Sequence, residues 1–144
     1  MRLEGRITIG APADDVFSVV SNISFWPKIF EGLITDISEV TPTGAGVQVI
    51  WTYKVMGIKL KGKAILEETS PKRRLRVRIE AISEFLWTLN LKQHKDSTDL
   101  LSVLEYDVPR KGLGKLLARW TEGGQVEAQM ERVLANIKRL MEER

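Results

Sequence analysis

The sequence predicts an α+β fold: a curved antiparallel sheet of about seven strands wrapped around a long C-terminal helix, with two short helices after the first strand. Three observations predict it. Residues 2–9 alternate, with Leu3, Ile7 and Ile9 on one side and Arg2, Glu4, Arg6 and Thr8 on the other, the mark of a half-buried strand. From residue 34 to Pro109 the hydrophobic period stays at two. Beyond Pro109 it lengthens to three and four, with Leu113, Leu116, Leu117 and Trp120 followed by Met130, Val133, Leu134, Ile137, Leu140 and Met141, one face of a helix.

Taken in order, Ala11-Pro12-Ala13-Asp14-Asp15 punctuates the first strand and opens a helix, its carboxylates placed where the helix dipole favours them. Val16, Phe17, Val19 and Val20 form the apolar side. Asn22 to Trp26 break this helix, and Pro27 starts a second short one ending near Phe30, with Gly32 closing the segment. Strands are predicted over 34–40, 46–55, 58–67, 74–82, 85–94 and 99–108. Turn residues separate them: Thr43-Gly44-Ala45-Gly46, Met56-Gly57, Ser70-Pro71-Lys72 and Lys95-Asp96-Ser97, so consecutive strands form a meander. Gly123-Gly124 interrupt the final helical pattern. No repeat or linker is visible, and residues 1–144 are expected to form one domain.

Because one sheet face must stay apolar, the turns suggest a register. Met56-Gly57 sets Tyr53 opposite Leu60 and Trp51 opposite Gly62. A turn at Ser70-Pro71 sets Leu66 opposite Leu75 and Gly62 opposite Ile79; Ile79 then faces Trp87, and Trp87 faces Leu104. On the outer face this pairs Glu67 with Arg74, Lys61 with Glu80 and Lys92 with Asp99, opposite charges that stabilise sheets. The inner rows become Trp51, Gly62, Ile79, Trp87, Leu104 and Tyr53, Leu60, Ala81, Phe85, Tyr106. Large aromatics beside Gly and Ala allow two readings: a dense core, or a void walled by Trp51, Tyr53, Trp87 and Tyr106 that holds a small molecule. Trp26 and Phe30, and Trp120 beside Gly123-Gly124, either pack helix on sheet or gate that void.

The chain has 144 residues, 43% hydrophobic and 28% charged, with a net charge of +3, an ordinary globular mix. No apolar run approaches the roughly 18 residues of a membrane span, and the N-terminus lacks a signal-peptide core. Without cysteine, disulfides, thiolate metal sites and a cysteine nucleophile are excluded. A cytoplasmic location is expected. His94 is the one histidine and reads as a surface residue, so no metal and no cofactor are expected. Nucleophile elbow, phosphate loop and dinucleotide fingerprint are missing from the sequence. Tyr53, Tyr106 and Ser102 are the polar groups expected to point inward. Lys59, Lys61, Lys63, Arg76 and Arg78 gather on the outer face, either as a solvated stripe or as a docking surface for a membrane or an acidic protein. Nucleic acid is a poor fit, since no aromatics interleave with these cations.

The order of elements resembles the START-like superfamily, which includes plant pollen-allergen proteins, polyketide cyclases and lipid-transport proteins. Ala11-Pro12-Ala13-Asp14-Asp15-Val16-Phe17, Phe25-Trp26-Pro27, Gly44-Ala45-Gly46 and Leu104-Glu105-Tyr106-Asp107-Val108-Pro109 sit where such proteins carry similar phrases. Leu60-Lys61-Gly62-Lys63-Ala64 and the N-terminal segment look somewhat like the accessory G subunit of carbon monoxide dehydrogenase. The resemblance implies a helix-grip fold with a hydrophobic cavity under the long helix. It implies a carrier or sensor of a lipid, quinone or polyketide-like molecule, lined by Trp26, Phe30, Trp51, Tyr53, Gly62, Ile79, Phe85, Trp87, Leu104, Tyr106, Trp120, Gly123 and Gly124. Two alternatives stand beside it: a cyclase or aromatase-like enzyme with Tyr53 or Tyr106 as proton donor, and a docking module using the basic face.

Overall fold

The computed structural model describes residues 2–44, 46–55, 57–70, 72–80, 84–107 and 124–143. β1 (Arg2–Ile9) alternates exposed and partly buried residues until Ile9, which is fully enclosed. α1 (Ala13–Val20) follows Pro12, carries Asp14 and Asp15 in its first turn and buries Val16, Phe17, Val19 and Val20. Asn22 then caps a short 3-10 turn (Ile23–Phe25) by accepting from the Ser24 amide at 3.0 Å. Its side chain supplies an acceptor that the backbone lacks at a helix start. α2 (Trp26–Ile29) carries Pro27 in its first turn, where a missing N–H costs nothing because that position has no intrahelical acceptor.

Six strands follow: β2 (Ile34–Pro42), β3 (Val47–Val55), β4 (Ile58–Ser70), β5 (Arg74–Glu80), β6 (Glu84–His94) and β7 (Ser97–Tyr106). With β1 they form one seven-stranded antiparallel curved sheet in the order β1-β7-β6-β5-β4-β3-β2. Bulges lie between Ile34 and Asp36, between Ile37 and Glu39, and between Glu68 and Ser70; each adds local bend and twist.

The register agrees with expectation in two pairings and departs from it in two. Trp51 lies opposite Gly62 and Tyr53 opposite Leu60; Trp87 lies opposite Leu104 and Lys92 opposite Asp99. Between β4 and β5, however, Leu66 faces Val77, not Leu75. Between β5 and β6, Ile79 faces Phe85, not Trp87. The β4–β5 ladder starts with Ser70 opposite Arg74, shifts by one residue between Glu68 and Ser70, and runs on two residues from the expected register. The β5–β6 ladder starts with Glu80 opposite Glu84, again two residues from expectation. A two-residue slip keeps every side chain on its face, so the inward set survives while its rows change. On the outer face Glu67 meets Arg76, not Arg74, and Lys63, not Lys61, meets Glu80, forming an ion pair of 3.2 Å.

α3 (Gln125–Glu142) starts from Gly124, whose φ of +76° is a left-handed conformation that suits glycine. Val126, Val133, Leu134, Ile137 and Met141 are buried, with Met130 and Leu134 closing over Gly5 of β1. Polar contacts fasten the helix at both sides. Lys138 Nζ donates to the Thr8 carbonyl at 2.8 Å, and the Gly10 amide donates to Glu142 Oε2 at 2.9 Å. Asn136 Nδ2 donates to the Ile29 carbonyl at 3.0 Å, tying α3 to α2. Among the described residues no helix is long and apolar enough to cross a membrane.

Candidate functional site

The concave face of the sheet, covered by α2 and α3, brings together most of the residues singled out in the sequence. Its centre is aromatic. Trp26 and Phe30, from the α2 segment, meet Trp51 of β3 at ring-centroid distances of 5.5 and 6.1 Å, and Phe30 meets Trp87 of β6 at 5.3 Å. Phe30 lies edge-on to Trp26, Trp51 and Trp87 alike, the geometry that aligns a ring's positive edge with another's negative face. Trp26 is wholly enclosed and its Nε1 donates to the Val20 carbonyl at 3.2 Å, so it packs helix on sheet.

The three described tryptophans differ in one respect. Trp26 has its carbonyl, and Trp87 Nε1 donates to Ser102 Oγ at 2.7 Å in the interior. Trp51 Nε1 is buried with no hydrogen-bond acceptor among the described residues, although the residue is only 4% exposed. A buried donor left unpaired is costly, about 1–3 kcal/mol. The indole is held over Gly62, where a β-carbon would collide with Nε1.

Beyond this cluster the wall loosens. The row Tyr106, Phe85, Ile79, Ala64, Val49 crosses the sheet, with the Tyr106 and Phe85 rings 5.2 Å apart. Ile79, Phe85, Leu104 and Leu60 face the concave side yet are only partly buried. Tyr106 is 4% exposed. Burial first, then the negative charge of Glu127 on α3, raises its pKa from 10.0; like any tyrosine hydroxyl at neutral pH it is protonated and can donate a hydrogen bond. Tyr53 does not share the Tyr106 row, contrary to expectation: it pairs with Leu60 and Ile34 at the far end of β3.

The family model described as polyketide cyclase/dehydrase and lipid transport matches residues 1–142. The chain belongs to this family. Solved structures similar to this polyketide cyclase/dehydrase and lipid-transport family member include a protein from Thermus thermophilus (17% identity, TM-score 0.78, covering 96% of this chain and 94% of that one). A START superfamily protein from Mycobacterium smegmatis aligns at 14% identity and a TM-score of 0.72, over 99% and 97% of the two chains. The Zhui aromatase/cyclase from a Streptomyces species aligns at 18% identity and a TM-score of 0.75, over 96% and 94%. At these identities the likeness establishes the START-like fold. No curated protein matches the chain in sequence.

Within this family member, Trp120 and Gly123 lie outside the described residues, and Gly124 is the exposed entry to α3. His94 is exposed on the last residue of β6. Two residues that sequence reasoning passed over come from α3. Glu127 influences Tyr106, and Gln129 has its Nε2 buried without an acceptor among the described residues. The signal for Gln129 was present: it falls three residues after Val126 and four before Val133, a polar residue on the apolar stripe. A separate groove of about 270 Å³ between β1 and α3 is lined by Glu4, Glu127 and Glu131 beside Leu3, Met130 and Leu134, a poor match to an uncharged apolar molecule.

Proposed function

We propose that the chain binds a hydrophobic small molecule of the lipid, quinone or polyketide-like type between the concave sheet face and α3, as a carrier or sensor. The observation that carries this reading is the Trp51 indole N–H, buried in an aromatic wall and without an acceptor among the described residues. A ligand oxygen would satisfy it. The partly buried Ile79, Phe85 and Leu104 would supply apolar contact, worth roughly 25 cal/mol per Å² before association costs.

The test is a titration of ¹⁵N-labelled protein with 2-acetylnaphthalene and with 2-ethylnaphthalene, which differ in one carbonyl. The Trp51 indole N–H resonance moves downfield with the ketone and stays near its starting position with the hydrocarbon. Equal movement with both, or no movement with either, would remove Trp51 as the orienting donor.

Tyr106 supports a second, catalytic reading. Its buried hydroxyl lies in the row with Phe85 and Ile79 and could hand a proton to a ligand carbonyl in a confined cyclisation, against a raised pKa that makes it a weaker acid than a free phenol. Turnover of a poly-β-ketone probe that is abolished in Tyr106→Phe, while probe affinity is retained, would establish it. Retained turnover in that variant would exclude it.

A further inference from the structure

The outer face of the sheet divides its cations into two groups. Lys63 pairs with Glu80 at 3.2 Å and Arg78 with Glu84 at 3.5 Å. Glu105, on a neighbouring strand, pairs with Arg2 at 3.8 Å. Further towards the β3–β4 turn, Lys54, Lys59 and Lys61 are exposed, and none makes an ion pair with a described residue. The register sets Lys54 directly opposite Lys59, with Lys61 opposite Thr52. Like charges in facing positions weaken a strand pair, and nothing in the described fold offsets this one.

Ile58 stands at the turn itself. It follows Gly57, whose φ is +83°, and is 43% exposed; Val40 is the other exposed large hydrophobic among the described residues. Thus one hairpin end presents an apolar tip and three unpaired lysines behind it, neither of which the fold requires.

We propose that this hairpin end docks the protein on an anionic bilayer, with Ile58 entering the boundary between headgroups and acyl chains and Lys54, Lys59 and Lys61 meeting lipid phosphates. Ile58 and the lysines project to opposite sides of the hairpin, so a tip-first approach buries the isoleucine while the long lysine stems reach back to the headgroups. Lysine ammonium groups are mobile point charges without the fixed fork of arginine, which suits a laterally fluid array of phosphates. An exposed isoleucine at the tip with cations behind it complements the layered chemistry of an anionic bilayer, apolar below and phosphate above. The hairpin end adjoins the concave-face pair Tyr53 and Leu60, so docking turns that end of the sheet towards the lipid. This inference does not depend on the ligand reading, since the surface is complete without a bound molecule.

Vesicle flotation of the purified protein tests it. Binding is expected to phosphatidylcholine vesicles containing about 30% phosphatidylglycerol and not to phosphatidylcholine alone, and to disappear at about 0.5 M salt. Lys54→Glu, Lys59→Glu and Lys61→Glu should each lower partitioning about fivefold or more. Ile58→Ser should lower it with an unchanged salt dependence. Lys95→Glu, in the β6–β7 turn at the opposite end of the sheet, changes net charge equally and should leave the β3–β4 contact intact. Urea midpoints matching the wild type show that the variants fold. Absence of wild-type binding, equal binding to neutral vesicles, or an equal loss in Lys95→Glu would overturn the proposal.

Discussion

The pyrrole edge of Trp51 occupies the space over Gly62 in which any other residue would place its β-carbon. That carbon would stand 2.9 Å from Trp51 Cδ1 and 3.2 Å from Tyr53 Cε1, too close for ordinary packing. The indole has little room to retreat, because Trp26 and Phe30 hold its other side. Gly62→Ala should therefore lower stability by about 1–3 kcal/mol in urea unfolding. Gly44→Ala, where nothing lies within 4 Å, should change it by less than about 0.5 kcal/mol.

Ser102 is predicted to matter through Trp87. Ser102→Ala leaves the Trp87 N–H buried without its 2.7 Å acceptor and should cost about 1–3 kcal/mol. Trp87→Phe combined with Ser102→Ala should cost less than the sum of the two single changes, since the second removal no longer orphans a donor. Strict additivity in that double-mutant cycle would show that the hydrogen bond contributes nothing.

Much of this arrangement is legible in the sequence. Period-two alternation marked the inward faces, and Pro27, Asn22 and Gly32 marked the short helices. The β4–β5 and β5–β6 registers were not legible, and the reason is specific. A slip of two residues leaves alternation untouched, and it exchanged one plausible charge pair for another, Lys61–Glu80 for Lys63–Glu80. No sequence pattern distinguishes the bulge at Glu68/Ser70 from a regular strand. The different fates of the tryptophans were equally hidden. Trp51 and Trp87 look alike in the sequence, yet only the folded chain shows that Ser102 reaches Trp87 and that Trp51 has no such neighbour among the described residues.

Trp51→Phe keeps an aromatic ring and removes the unpaired donor. Its affinity for 2-acetylnaphthalene should fall about five- to tenfold more than its affinity for 2-ethylnaphthalene, the scale of one hydrogen bond. Tryptophan fluorescence titration of both probes reads this directly. An equal fall for the two would mean that Trp51 contributes shape alone.

Tyr106 should give stability an alkaline limb. Its folded pKa is raised above 10.0, by burial first and by Glu127 second, so the folded state holds the phenolic proton more tightly than the unfolded chain. The sign follows from linkage: the stabilisation is fully present below the unfolded pKa near 10 and is lost as pH rises through the folded value. Urea midpoints measured from pH 8 to pH 11 should fall more steeply in the wild type than in Tyr106→Phe. Parallel curves would place the alkaline loss elsewhere.

Native mass spectrometry of the protein as purified, with organic extraction of whatever is released, bears most directly on a hydrophobic ligand held against the concave face. A stoichiometric apolar adduct carrying at least one oxygen acceptor is expected, displaced by 2-acetylnaphthalene. An apo mass, together with no change in tryptophan fluorescence on adding fatty-acid, quinone and polyketide probes, would contradict it and leave Trp51 and Phe30 as core alone.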